Sequence, residues 1–279
     1  MFDSPSSPIV VGIDGSKSAL EAALWAADEA VIRGVAVHLL HVVDPDSPNL
    51  DHAMSHGRDA LRAAADSLIY SAKPVTLTAR TVCGDPLDIL VTASRSAQLL
   101  CIGAKGTHNG NGGTAAQLAR TAHCSVAIIR HTKTGHGRWV LATLQHGSGP
   151  DDVLDTAIDE AQLRDRVVLA ITPTTHLDAD HPGEIRAEMN RCADSMGKGI
   201  DDGVEIATVP RPDHVGAFLR SSTSADDLVV VSADERSLLD DLLGPAGSAA
   251  LRTTNCSLLI RRNPQLAGHD RAVTTPVQS

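Results

Sequence analysis

WAADEAVIRG, residues 25–34, returns as TAIDEAQLRD at residues 156–165, with Asp28, Glu29, Ala30 and Arg33 repeated as Asp159, Glu160, Ala161 and Arg164. Working outward, LLCIGA (99–104) matches LVVVSA (228–233), and HCSVAIIR (123–130) matches NCSLLIRR (255–262). The offsets, 131, 129 and 132 residues, are too long for a solenoid repeat of roughly 20–50 residues and indicate a duplicated domain. The polar stretch HTKTGHGR, 131–138, reads as the linker between copies at 1–130 and 139–262, and the tail 263–279 reads as disordered.

Within the first copy, continuous apolar runs alternate with helical stripes. PIVVGID is a strand, and Ser18 with Glu21 suggests a capping box for a helix that Gly34 closes. There follow the strand VAVHLLHVV, a helix within 55–72, the strand VTLTARTV, the helix PLDILVTASRSA and the strand LLCIG. A glycine loop, the helix TAAQLARTA and the strand SVAIIR complete the copy. Parallel strands need crossover connections, so five strand–helix alternations predict a doubly wound α/β fold with a five-stranded parallel sheet in each copy.

Composition narrows the function. A net charge of −10 without a basic stripe opposes nucleic-acid binding, and only five aromatic residues are available for base stacking. No apolar run approaches the ~20 residues that span a bilayer. MFDSPSSP is not a signal peptide, so a cytoplasmic location away from membranes is expected. The five cysteines form no C-x-x-C pair and read as free thiols. The 13 histidines include no H-E-x-x-H, and His38 and His41 point to opposite faces of one strand, so no metal site is expected.

Ligands of such sheets bind beyond the carboxyl ends of the strands, where GIDGS (12–16) and the glycine loop AKGTHNGNGG (104–113) should meet. A glycine-rich turn feeding a helix N-terminus exposes amides that suit a phosphate. GNGGTA matches the dinucleotide pattern but follows the fourth strand rather than the first, and AKGTHN lacks the Gly-Lys-Ser/Thr of a P-loop. Asp14 reads either as a turn residue bonding its own backbone or as a ligand group for ribose, adenine or a phosphate-bound metal. No G-x-S-x-G nucleophile elbow occurs, and no catalytic residue is expected.

VVGIDGSKSALEAALWAADEA, HLLHVVDP, LLCIGAKG and HCSVAIIR together resemble the universal stress protein family, in the tandem form found in mycobacterial dormancy and hypoxia responses. The resemblance implies Rossmann-like, adenine nucleotide alpha hydrolase-like domains packed as an internal pseudo-dimer through their last strands, with homodimerisation and a protein partner as further expectations. It implies ATP as the cofactor, in the first copy only, and a regulatory rather than enzymatic role in stress or dormancy adaptation. The family's G-x2-G-x9-G-[ST] pattern would use Gly103 and Gly106, closing at Gly112-Gly113 or, one register on, at Gly113-Thr114; the loop is three or four residues short. Gly12 and Asp14 would face the nucleotide, and Val42 would present backbone to adenine. In the second copy His146 replaces Asp14, Ser232 and Glu235 replace the leading glycines, and Pro245 lacks an N–H, which predicts no ATP there.

Overall fold

The computed structural model describes residues 7–104, 113–130, 139–144, 152–172, 204, 206–210, 218, 219, 223 and 226–263. The linker and the tail beyond residue 263 lie outside them, as do Cys192, Gly106, Gly112 and His146.

The first half runs β1 (Ile9–Gly12), α1 (Lys17–Arg33), β2 (Val37–Val43), α2 (Leu50–Tyr70), β3 (Leu77–Cys83), α3 (Pro86–Ser94), β4 (Leu99–Gly103), α4 (Gly113–Thr121) and β5 (Ser125–Ile129). The second half runs β6 (Trp139–Thr143), α5 (Asp152–Arg164), β7 (Val167–Thr172), β8 (Ile206–Pro210), β9 (Leu228–Ser232), α6 (Arg236–Leu243), α7 (Pro245–Thr254) and β10 (Ser257–Arg261). Central strands such as β4, β5 and β6 are apolar at nearly every position because helices cover both faces of the sheet.

All ten strands form one sheet in the order β3-β2-β1-β4-β5-β10-β9-β6-β7-β8. Each half is a five-stranded parallel sheet of the same internal order. The halves join where β10 runs antiparallel to β5, pairing Leu258 with Ile128 and Ile260 with Val126. The pseudo-dimer through the last strands is therefore present as one continuous sheet. One core lies on the face covered by α3, α4, α6 and α7 and contains Leu100, Leu118, Leu141 and Leu242; the other, under α1, α2 and α5, contains Val11, Leu39, Val140 and Val168. Both cores extend through both halves.

Local chemistry sets the helix ends. The α1 cap corrects the capping-box expectation: Ser16, not Ser18, is the N-cap, and its hydroxyl accepts from Ala19 N at 3.1 Å. Ser18 and Glu21 are instead buried within the helix. Gly34 closes α1 in the left-handed region (φ 63°), and its repeat equivalent Asp165 adopts φ 50° after α5. Asp85 caps α3 by accepting from Leu87 N and Asp88 N, with Pro86 at the first helical position.

The strongest repeat signal becomes a contact. Arg33 Nη2 lies 2.7 Å from Glu29 and 3.2 Å from Glu160, while Arg164 Nη2 lies 2.6 Å from the other Glu29 oxygen and Arg164 Nη1 bonds Glu160. Arg164 also lies over the Trp25 ring, 4.9 Å from its centroid. The four repeated charges form a reciprocal quartet that ties α1 to α5 across the seam. Burial is the main influence raising the Glu160 carboxyl, while the guanidinium of Arg164 opposes it.

Candidate functional site

The first-half cleft is assembled at the C-terminal ends of β1, β2 and β4. Ile13 N donates to Leu40 O at 2.9 Å just past the last β1–β2 pair, Gly12 with Leu40, so residues 41–43 of β2 extend beyond β1. Val42 lies in that extension, half-buried. The chain then turns at Gly15, and Ser16 N donates to Asp14 Oδ1 at 2.9 Å. The turn reading of Asp14 is thus realised, and the same bond holds its carboxylate at the mouth of β1.

Gly103 ends β4 directly beneath the first turn of α1. A Cβ there would meet Ala19 N, the Ser18 carbonyl carbon and Ser18 Oγ, each at 2.6 Å. Only glycine permits this approach, which draws the end of β4 against the start of α1, just after the GIDGS turn. Gly12 is less constrained: its added Cβ would meet the Ile102 side chain at 3.3 Å. Gly113 and Thr114 form the first turn of α4; open space lies beside Gly113, and Thr114 is exposed. Gly12, Asp14, Val42 and Gly103 therefore sit around three neighbouring strand ends, while Gly113 and Thr114 begin the helix that follows the glycine loop.

His41 supports the cleft and was missed as a site residue by sequence reasoning. Its Nδ1–H donates to Ile13 O at 2.6 Å, fixing the peptide that carries Asp14. The ring packs against α2 at Gly57, where a Cβ would lie 2.3 Å from His41 Cδ2. Burial lowers the imidazole pKa, and the nearby His56 adds to this, while the Ile13 bond and Asp14 oppose it. The available signal was the pairing of a strand histidine with a lone helical glycine.

The equivalent region of the second half is filled. Between Ser232 and Gly244 stands α6, whose Leu238, Leu239 and Leu242 are buried in the core. Asp234 N donates to Ser232 Oγ, and Glu235 is buried at the start of α6.

Other features fall outside this cleft. A groove of about 450 Å³ between α2 and β3, lined by Met54, Arg58, Leu61 and Thr81 among others, contains none of the expected site residues. Among the described residues no cluster of three His, Cys, Asp or Glu is arranged for a metal, and no helix is long and apolar enough to cross a membrane. Cys101, Cys124 and Cys256 are buried and Cys83 is exposed, all as free thiols. Burial pushes the Cys124 thiol up to about 12.

Comparison with known proteins is consistent with this architecture. Residues 6–130 match the model of the universal stress protein family. Universal stress protein Rv2028c of Mycobacterium tuberculosis is 32% identical over 268 residues, covering 90% of this chain and 95% of the relative. Universal stress protein Rv2624c of the same organism is 30% identical over 268 residues, covering 91% and 96%. The crystal structure of a universal stress protein from Archaeoglobus fulgidus aligns over 93% of this chain and 97% of its own, at 14% identity and a TM-score of 0.65, a likeness of fold.

Proposed function

Because the chain belongs to the universal stress protein family, we propose that it is a stress-adaptation regulator whose first half holds an adenine nucleotide, ATP above all, and whose second half does not. The observation that carries this reading is the contrast between two equivalent sheet ends. In the first half Gly103 lies against the first turn of α1, which follows the Asp14 turn, and an added Cβ at Gly113 would meet only open space. In the second, α6 packs its leucines where the loop would run. The α4 N-terminus would face the phosphates, Asp14 would accept from a ribose hydroxyl or the adenine amine, and Val42 would offer backbone to adenine. The role is regulatory, with the bound state altering partner contacts, and hypoxia-type dormancy is its proposed setting from the sequence resemblance.

The test begins by denaturing purified protein and assaying released adenine nucleotide. ATP is then titrated calorimetrically into wild type, Asp14→Ala and Gly106→Glu. Binding is expected at one nucleotide per chain, near the micromolar range that corresponds to about −8 kcal/mol. Asp14→Ala should weaken it about tenfold or more, and Gly106→Glu should abolish it by placing a carboxylate against phosphate. Equal, negligible heats in all three proteins would overturn the reading in favour of an interaction scaffold, which the shortened loop favours. Hydrolysis lost in Asp14→Ala would make the protein an enzyme.

A further inference from the structure

The seam carries a second arrangement of charge, built twice and, among the described residues, paired with a carboxylate on one side only. Arg120 and Arg252 are repeat equivalents, as are Arg130 and Arg262, each pair separated by 132 residues. The backbone preserves the two-fold relation: Arg130 N donates to Ser257 Oγ, and Arg262 N donates to Ser125 Oγ, both at 3.1 Å. On one side the cations are satisfied. Arg120 Nη2 lies 2.5 Å from Asp240 Oδ1, and Arg262 Nη2 donates to the carbonyls of Ala119 and Arg120; burial lowers the Arg262 guanidinium, and Asp234 is the main influence opposing that.

On the other side Arg130 and Arg252 line a cavity of about 60 Å³ whose wall is otherwise apolar except for Ser248, with Ala104, just beyond β4, and Ala115, in α4, on its border. Among the described residues neither guanidinium has a carboxylate partner. The reason is legible in the chain. SADERSLLDDLLG (232–244) supplies Asp234 and Asp240, but its counterpart KGTHNGNG (105–112) contains no Asp or Glu. Burial and the neighbouring Arg252 together push Arg130 down to about 10. The nearby Cys256 thiol is itself raised to about 11 by burial and stays neutral. Ser248, on the cavity wall, donates its hydroxyl to Leu243 O, leaving the arginines as the cavity's cationic donors. The volume accommodates about four to six water-sized spheres, the bulk of one tetrahedral oxyanion.

We propose that Arg130 and Arg252 form a seam site for a phosphate group, with one cation supplied by each half of the molecule. Two guanidiniums on the wall of one cavity can recognise phosphate oxygens through charge-assisted hydrogen bonds. The site goes beyond the nucleotide reading and does not require it. The phosphate is either the terminal group of a nucleotide in the adjoining first-half cleft or free inorganic phosphate.

The full chain is melted in increasing sodium phosphate and in sodium chloride of matched ionic strength, as wild type, Arg252→Gln, Arg130→Gln and Arg120→Gln. Phosphate should raise the wild-type midpoint beyond chloride. Arg252→Gln, at an exposed position, should weaken the phosphate response about tenfold while raising the phosphate-free midpoint by relieving like-charge repulsion. Arg120→Gln should leave the response intact. Selective loss of ATP affinity in Arg252→Gln, with adenosine affinity retained, identifies the nucleotide as the source. Unchanged ATP affinity alongside a lost phosphate response identifies free phosphate, and failure of ATP to bind any variant removes the nucleotide reading alone. Phosphate acting no better than chloride on wild type, or equally on wild type and Arg252→Gln, overturns the proposal.

Discussion

His41 shows how one side chain sets the shape of the cleft. Its Nδ1–H occupies the Ile13 carbonyl, so the neutral ring is part of the β1 turn, and no space remains for a Cβ at Gly57. Burial depresses its pKa, which means the folded state binds fewer protons than the unfolded state below the ordinary imidazole value of about 6.5. The stabilisation is complete above that pH and is lost as pH falls through the lowered pKa. Melting midpoints of wild type should therefore fall more steeply than those of His41→Gln as the buffer is taken from about pH 6.5 toward 5. Equal slopes would show that this histidine titrates as it does in the unfolded chain. The sequence marks His41 only as one strand residue among 13 histidines, because its partners, Ile13 and Gly57, lie on other elements.

At the scale of elements, the strands and most helices were legible because burial on both faces demands continuous apolar runs and amphipathic stripes. The α1 start was not. Ser16, Ser18 and Glu21 all fit cap chemistry, and the choice fell to Ser16 because Ser18 lies against Gly103. That contact separates two glycine substitutions. Gly103→Ala drives a Cβ into α1 backbone and should cost about 1–3 kcal/mol, whereas Gly113→Ala enters open space at the first turn of α4 and should be neutral or stabilising by up to about 1 kcal/mol. Urea denaturation at fixed slope measures both, and a neutral Gly103→Ala would refute the close approach. Ser232, Glu235 and Pro245 mark the second-half counterpart of the loop as degenerate. That α6 packs into the core there follows from the spacing of Leu238, Leu239 and Leu242.

For the whole molecule, the seam is the deciding feature. The β5–β10 pairing, the shared cores and the quartet of Glu29, Arg33, Glu160 and Arg164 make each half a continuation of the other. Buried ions contribute little net stability when fully paired, but removing one partner strands a charge at a cost of about 3–5 kcal/mol. The quartet therefore penalises any other docking of the halves. Cooperative unfolding should follow, and the protein carries its own reporters: Trp25 and Trp139 are both buried, one in each half. Trp25→Phe should leave Trp139 fluorescence, and Trp139→Phe should leave Trp25 fluorescence, each reporting the same urea midpoint as circular dichroism on its own variant. Separated midpoints would mean that the halves unfold independently.

The sequence by itself determined the duplication, the parallel doubly wound halves and the asymmetry between a glycine loop and its acidic counterpart, because periodicity and repeat register are properties of the chain alone. It also marked Glu29, Arg33, Glu160 and Arg164 as repeated, without showing why. Only the tertiary structure brought those four together, placed His41 under the Asp14 turn and set Arg130 and Arg252 on the wall of one cavity at the seam. The physical reason is separation: these groups lie tens to more than a hundred residues apart, and their energies depend on burial and on which opposite charge arrives beside them.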